Sequence, residues 1–231
     1  FYMDKAIGLA ASVFNATPNP RVGCVIVKGG SVIGEGWHSA AGEKHAEIVA
    51  LEDAGPAAKN STAFVSLEPC AHQGRTPPCS EALIAAEVDR VVIASVDPDE
   101  RVSGRGIKAL EKANIKVFHL LDFDERARAV NPGFFKRQEF AKPFVRLKLA
   151  MSIDGRTALS NGKSKWITNE KSRTLVHSFR AEFDAIIIGG NTLRKDNPLL
   201  TTRGGRNPEP LRVVFTKSLD LPSKSNLWDC N

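Results

Sequence analysis

The sequence predicts an α/β protein, with strands and helices alternating along the first half of the chain. Three observations support this class. Short runs rich in β-branched residues recur, segments with helical periodicity lie between them, and turns rich in glycine or proline separate the two. Such an alternation predicts a layered domain in which helices pack against a sheet.

The first elements are a helix and a hairpin. Residues 4–14 have helical periodicity, and the predicted helix ends before the turn-rich segment 17–20. Two β-rich runs follow at 23–28 and 32–37, and Gly29-Gly30 between them predicts a hairpin turn.

The alternation continues to about residue 120. Apolar residues at 45–54 repeat with helical spacing, prolines open a helix predicted at 78–86, and β-branched residues make 90–96 a buried strand. The remaining elements predicted in this half are strands at 62–67 and 115–119 and a helix at 106–113.

A charged segment, 122–139, follows and is interrupted by Asn131-Pro132-Gly133, which is typical of a connection. A second unit then begins at Pro143. It is predicted to contain strands at 144–151, 184–188 and 211–215 and a helix at 170–183. We therefore expect a first domain over 1–120, a connecting segment over 121–142 and a second domain over 143–231, which is short for an α/β domain and expected to be incomplete.

The composition is that of a soluble globular protein. Hydrophobic residues make up 42% and charged residues 25% of the 231 positions. No run of about 18 apolar residues predicts a membrane span, and no basic segment followed by an apolar one predicts a secretory signal. Four cysteines are too few for a disulfide scaffold, which favours reduced thiols and a cytoplasmic location.

The net charge of +6 suits either a phosphate-bearing small molecule or nucleic acid. The basic residues are scattered, however, and aromatic residues are only 7% of the chain. Because nucleic-acid surfaces gather basic residues into a patch, the pattern does not indicate a nucleic-acid partner. The oligomeric state stays open, with a homo-oligomer as one alternative.

Three short motifs in the first half predict a zinc site. They are His45-Ala46-Glu47, Pro69-Cys70 and Pro78-Cys79. One imidazole and two thiolates bind Zn²⁺ and leave the fourth position to water, as in catalytic sites. A carboxylate beside that water can take its proton and return it to a leaving amine. This arrangement resembles the zinc nucleobase deaminase signature, although eight residues rather than two separate Cys70 and Cys79.

Other interpretations remain open for these motifs. His45 alone is compatible with a simple helix-end residue, and the two cysteines with small buried hydrophobic residues. If His72 were a fourth ligand, the zinc would be structural and the domain an interaction module. A deaminase that acts on a base within nucleic acid is a further alternative.

The motifs, taken together, resemble the bifunctional deaminase/reductase family of riboflavin biosynthesis. The resemblance rests on segments 17–23, 45–47 and 68–79 in the first half and continues through 97–98 and 104–106. In the second half it rests on 148–155, 164–168, 177–180 and 189–203. It implies a cytidine-deaminase-like α/β/α sandwich that holds zinc, followed by a dihydrofolate-reductase-like α/β domain that uses NADPH.

The resemblance also implies the reaction and the roles of residues in the first site. The first domain removes the 2-amino group of 2,5-diamino-6-ribosylamino-4(3H)-pyrimidinone 5′-phosphate, and the second reduces the ribosyl group to ribityl. His45, Cys70 and Cys79 are the implied zinc ligands, and Glu47 is the implied proton shuttle. The implied substrate contacts of the first site are Asn19, His38, His72, Arg75 and Thr76.

In the second domain the resemblance implies two sets of residues. The positions matched to NADPH contacts are Ala150, Trp166, Thr192 and Asp196, and those matched to substrate contacts are Lys148, Ser164, Arg180, Leu200 and Arg203. The family's reductase continues with a glycine-rich segment beyond the position that matches Asn231, so we expect this domain to be truncated here.

Overall fold

The computed structural model describes residues 1–73, 77–205 and 208–228. The chain divides into two compact units, Phe1–Val145 and Arg146–Asn231. Among the described residues, no helix combines the length and the apolar character that crossing a bilayer requires.

A five-stranded mixed sheet forms the centre of the first unit. Its strands are β1 (Gly23–Lys28), β2 (Ser31–Trp37), β3 (Thr62–Val65), β4 (Arg90–Ile93) and β5 (Lys116–His119). The order is β2-β1-β3-β4-β5, with β1 antiparallel to both neighbours and β3, β4 and β5 mutually parallel. The predicted hairpin is confirmed, since Gly29 and Gly30 join β1 to β2 with φ of 57° and 79°.

Helices cover both faces of this sheet. They are α1 (Tyr2–Ala11), α2 (Ala46–Ala54), α3 (Cys79–Ala85), α4 (Arg105–Lys112), α5 (Asp124–Val130) and α6 (Pro132–Phe140). Side chains alternate along β1, so Cys24 and Ile26 pack under α2, α3 and α4, whereas Val25 packs under α1 and α5. The first unit is therefore an α/β/α sandwich.

The segment for which the sequence pattern predicts a connection packs within the first unit. Ala127 on α5 is buried in the same core as α1. Asn131, between α5 and α6, accepts a hydrogen bond from the backbone N–H of Arg21 and donates one to its carbonyl oxygen, both at 2.8 Å. These paired bonds hold α6 against the turn that precedes β1.

The second unit contains one short parallel sheet. After α7 (Glu170–Ala181), strand β6 (Ala185–Gly189) and strand β7 (Leu211–Phe215) pair in parallel, with α8 (Gly190–Asp196) between them in sequence. Leu193, Leu200 and Leu227 form its buried core. Asn169 caps α7, because its side-chain oxygen accepts a hydrogen bond from the Ser172 N–H at 2.9 Å.

The predicted strand at 144–151 is wrong. Residues 142–152 contain no helix or strand, although their apolar residues alternate. Val145, Leu147 and Leu149 are 61–81% exposed, so the apolar side chains of this run are not packed as they would be in a covered strand. A strand also needs a neighbour for its backbone groups, and the described β6 and β7 pair only with each other.

Two glycines on β2 let α2 approach the sheet closely. A Cβ atom on Gly34 would lie 2.3 Å from the carbonyl oxygen of Ala50, and one on Gly36 would lie 2.2 Å from that of Ala46. Since the obstructing atoms belong to a helix backbone, they cannot rotate away. These glycines therefore determine how closely α2 packs against the sheet. The first turn of α2 carries part of the site described below.

We expect Gly36→Ala to lower the free energy of unfolding by about 1–3 kcal/mol, the usual cost of overpacking. Urea denaturation measures the effect. Gly8→Ala on α1 is the matched control, because a Cβ there meets no atom within 4 Å and should stabilise the helix by about 0.4–1 kcal/mol. Equal stability changes in the two variants would contradict the proposed close packing.

Candidate active site

Three separate segments bring an imidazole and two thiols together. His45 is the N-cap of α2, Cys70 follows β3, and Cys79 is the first residue of α3. The His45 Nδ1 atom lies 3.2 Å from Cys79 Sγ and 3.6 Å from Cys70 Sγ. All three donor atoms lie within 4.8 Å of one another, so they can reach a common point.

The spacing of these donors fits zinc. Bonds of about 2.0–2.3 Å at tetrahedral angles place neighbouring ligand atoms about 3.5–3.8 Å apart. The measured 3.2 and 3.6 Å need only a slight opening to accept the ion. Three protein donors leave one tetrahedral position open, which is typical of a catalytic zinc site.

The charges of the cluster favour metal binding. A hydrogen bond from the Cys79 thiol, supported by His45 and by the Cys79 backbone N–H, lowers the pKa of Cys70 to about 4. The hydrogen bond with Cys70, followed by burial, raises the pKa of Cys79. A bound cation would favour the deprotonated form of both thiols, so metal binding is linked to loss of their protons.

Glu47 lies in the first turn of α2, two residues after His45, and is 3% exposed. Burial, followed by the negative charge of Cys70, raises the pKa of Glu47 to about 7. A carboxyl group with a pKa near neutrality can both accept and return a proton. Its position beside the cluster gives it access to a reacting group there.

Glu68 is a buried carboxylate that the sequence motifs do not assign a role. Its oxygens accept hydrogen bonds from the backbone N–H groups of Gly104 at 2.9 Å and Gly106 at 3.0 Å, and more weakly from Ile107 and Asp97. Glu68 thereby caps α4 and holds the strand-end segment that carries Cys70. Two features of the sequence are compatible with this role of Glu68: its position next to Pro69-Cys70 and the Gly-x-Gly segment at 104–106, whose N–H groups it binds.

A cavity of about 400 Å³ opens onto the cluster within the first unit. Its wall includes His45, Glu47 and Cys70, together with three predicted substrate contacts, Asn19, His38 and His72. Arg75 and Thr76, the other predicted contacts, lie outside the described residues. A cavity of this size can hold a small molecule that carries several functional groups.

His38 orients Asn19 in this cavity. Burial lowers the pKa of His38, which favours the neutral ring. Its Nδ1 atom lies 3.1 Å from the Lys44 carbonyl oxygen, which can only accept, so Nδ1 carries the proton. The Nε2 atom therefore accepts from the Asn19 amide nitrogen at 3.0 Å, and the amide oxygen of Asn19 points away from His38.

His72 is not part of the metal cluster. Among the described residues, the donor atoms that come together belong only to His45, Cys70 and Cys79. The buried Nδ1 atom of His72 has no hydrogen-bond partner in that part of the chain, and the residue lines the cavity. The geometry therefore does not support the structural fourth ligand that the sequence left open.

The four residues matched to NADPH contacts do not form a cradle by themselves. Thr192 and Asp196 lie four residues apart on α8, whereas Ala150 and Trp166 lie in a segment without regular structure. Trp166 is 71% exposed, and the Arg173 guanidinium covers its ring at 4.4 Å. Among the described residues, no hydrogen bond or ring contact joins any of these four residues to another.

The residues matched to substrate contacts in the second unit fall into three groups. Arg180 and Arg203 lie close enough that the charge of Arg203 adds to burial in lowering the pKa of Arg180. Leu200 is 5% exposed and belongs to the core. Ser164 is half-buried and Lys148 exposed, both in the segment that precedes α7.

Comparison with known proteins shows related sequences and structures for both units. Residues 1–95 match the family model described as the cytidine and deoxycytidylate deaminase zinc-binding region, and residues 143–231 match the RibD C-terminal domain. The riboflavin biosynthesis protein RibD of Synechocystis sp. is 46% identical over 229 residues, 99% of this chain and 62% of that protein. RibD of Escherichia coli is 48% identical over 216 residues, 93% of this chain and 59% of that protein.

Two solved structures are similar over nearly the whole chain. One is the diaminohydroxyphosphoribosylaminopyrimidine deaminase/5-amino-6-(5-phosphoribosylamino)uracil reductase of Thermotoga maritima, with a TM-score of 0.92 and 36% identity, covering 100% of this chain and 66% of that one. The other is RibD of Acinetobacter baumannii, with a TM-score of 0.88 and 44% identity, covering 97% of this chain and 65% of that one.

These likenesses confirm the predicted fold class and zinc as the cofactor of the first unit. The chain spans about three fifths of the curated relatives that it matches, 62% of the Synechocystis protein and 59% of the Escherichia coli protein.

We expect Cys79→Ala to lose zinc, because the variant keeps only two of the three protein donors. Its zinc affinity should fall by more than the ~10–100-fold that loss of a supporting hydrogen bond costs. Cys24→Ala is the control, since Cys24 is fully buried in β1 outside the cluster. Metal analysis of both purified variants gives the answer, and zinc retained in Cys79→Ala would contradict the assignment.

We expect Glu68→Gln to lower the free energy of unfolding by about 1–3 kcal/mol, because an amide nitrogen would then face backbone N–H donors. Zinc should also bind more weakly, since Cys70 loses its support. Glu87→Gln is the control, because Glu87 is exposed and forms a surface ion pair with Lys59 at 2.8 Å. Urea denaturation and zinc titration measure both effects. Equal stability and zinc affinity in Glu68→Gln and Glu87→Gln would contradict the structural role of Glu68.

Proposed function

The chain belongs to the RibD family of bifunctional riboflavin-biosynthesis deaminase/reductases, and on that premise we propose that its first unit is a zinc-dependent deaminase. Its substrate is 2,5-diamino-6-ribosylamino-4(3H)-pyrimidinone 5′-phosphate. The observation that carries the proposal is the meeting of His45, Cys70 and Cys79 beside the buried Glu47 in a cavity of about 400 Å³.

The reaction is a hydrolysis in which water replaces the 2-amino group of the pyrimidinone and ammonia leaves. Zinc, when bound, lowers the pKa of water and so supplies a nucleophile at neutral pH. Glu47 accepts the proton that water gives up and delivers it to the departing amine. Its burial keeps the carboxyl group away from bulk solvent, so the proton stays within the site.

The chain's own side chains can orient the pyrimidine. The amide oxygen of Asn19, aimed by His38, is placed to accept a hydrogen bond from a ring N–H or amino group. His72 lines the same cavity and is a further proposed substrate contact. Arg75, which lies outside the described residues, stays a proposed substrate contact of this site.

For the second unit we propose the reductase half of the same enzyme. The family's reductase uses NADPH, and the proposed reaction converts the ribosyl group of the deaminated product to ribityl. Arg180 and Arg203 form a positively charged pair that suits the substrate phosphate. The other proposed contacts are Ala150, Trp166, Thr192 and Asp196 for NADPH, and Lys148, Ser164 and Leu200 for the substrate.

The proposed partner is a small phosphorylated pyrimidine rather than nucleic acid. The scattered basic residues and the cavity in the first unit support this choice. A cytoplasmic location is part of the proposal, and the free thiols of Cys24, Cys70 and Cys79 support it. A homo-oligomer is compatible with the proposal but is not required by the site.

We expect Glu47→Gln to bind zinc normally but to release ammonia about 10²–10⁴-fold more slowly, because general acid–base catalysis contributes about that much. Ammonia release from the diaminopyrimidinone phosphate is the measurement. Glu52→Gln on the same helix is the control, since Glu52 is exposed and pairs with Lys44. Undiminished turnover by Glu47→Gln would remove Glu47 from the mechanism.

The same assay separates nucleotide from nucleic-acid substrates. The wild-type chain should deaminate the free nucleotide and leave single-stranded oligonucleotides unchanged. The reverse result would replace the proposed function with that of a nucleic-acid base deaminase.

A further inference from the structure

Helix α6 contributes a wall of the cavity that the metal motifs do not account for. Phe134, Arg137 and Gln138 lie on one face of α6, three and four positions apart, and all three line the cavity. The neighbouring Lys136 does not line it and instead lies over the Phe140 ring at 4.9 Å. The face of α6 that holds Arg137 is therefore part of the site.

The cavity wall is rich in negative charge, so an anionic substrate needs a specific cation. Among the described residues two arginines line it, and Arg101 is already paired, because its Nε and Nη2 atoms donate to the Asp99 carboxylate at 2.9 and 2.5 Å. The acidic residues of the wall are Glu43, Glu47, Glu68, Asp97 and Asp99.

Arg137 has no such partner among the described residues. Its one hydrogen bond there runs from Nη2 to the Pro18 carbonyl oxygen, at the weak distance of 3.4 Å. The guanidinium has five N–H donors in a planar fork that matches the oxygens of a phosphate. Most of these donors stay available to a ligand in the cavity.

A short series of contacts connects Arg137 with the metal cluster. Arg137 contacts Pro18, and the next residue, Asn19, bonds the His38 ring at 3.0 Å. The His38 ring in turn packs edge-on against His45, with 5.1 Å between centroids. A nucleotide whose base lies at the metal and contacts Asn19 can therefore extend its ribose phosphate toward α6.

We propose that Arg137 binds the 5′-phosphate of the deaminase substrate and so selects nucleotides over nucleosides. The proposal rests on the proposed function and adds to it a residue that determines specificity. Arg101 is less suited to this role, because its Nε and Nη2 atoms already donate to the Asp99 carboxylate. The proposal also gives a functional reason for the paired hydrogen bonds that hold Asn131, and hence α6, against Arg21.

The test compares two substrates, the diaminopyrimidinone ribosylamine with and without its 5′-phosphate, in the wild-type chain and in Arg137→Gln. We expect Arg137→Gln to raise KM for the phosphorylated substrate by about 10- to 100-fold, the usual effect of losing a charged hydrogen bond. Its kcat should change little, and its kinetics with the dephosphorylated substrate should match the wild type. Arg137→Lys should fall between the two, because an ammonium keeps the charge but loses the fork.

Lys136→Gln is the matched control, since it removes the same charge from the adjacent position of the same helix. Its KM for the phosphorylated substrate should equal that of the wild type. Inorganic phosphate should inhibit the wild type and Lys136→Gln equally, and Arg137→Gln much less. Zinc content and the urea midpoint should be unchanged in all variants.

Three results would overturn the proposal. Equal losses on both substrates would make Arg137 structural, no loss on either would place the phosphate elsewhere, and an equal loss in Lys136→Gln would indicate only general charge. Failure of the proposed function looks different, because the wild-type chain would then deaminate neither substrate.

Discussion

The first unit depends on one constraint, the meeting of an imidazole and two thiols from separate segments at a single point. Cys70 lies 25 residues from His45 and 9 from Cys79, yet their donor atoms lie within 4.8 Å. Two of these segments are held by different means: α2 by its packing on the glycines of β2, and the segment with Cys70 by the hydrogen bonds of Glu68.

Buried acidic residues around this point play opposite roles. Glu68 is satisfied by backbone N–H groups and keeps the segment next to Cys70 in place. Glu47, equally buried, has a pKa near 7 and is suited to proton transfer. Burial also raises the pKa of Asp97 to about 7 at the cavity wall. Glu68 therefore has a structural role because backbone N–H groups donate hydrogen bonds to its carboxylate, whereas Glu47 is suited to proton transfer.

The two units differ in how completely their predicted residues come together. In the first, His45, Cys70 and Glu47 line one cavity together with three predicted contacts, Asn19, His38 and His72. In the second, Arg180 and Arg203 lie together, but Trp166 and Ala150 lie on an irregular segment. Leu200 belongs to the core, and its φ of 56° places its backbone in the left-handed region, which is uncommon for a residue other than glycine.

The sequence by itself determined the class of fold and most helices and strands to within a few residues, and it predicted the three residues proposed as metal ligands. Periodicity and turn residues are local signals, and the chemistry of zinc restricts the donors to a few residue types. It also suggested a strand at 144–151, which alternation alone cannot establish, because a strand exists only where a partner strand is present.

Only the tertiary structure decided what distant residues do together. Glu68 has its role because four backbone N–H groups some 30 to 40 positions away point at it. Arg137 lines the cavity because Asn131 fastens α6 to the segment before β1, across 110 residues. The local sequence does not predict such pairings, because hydrogen bonds and charges act through space. Only the fold sets the distances between the paired groups.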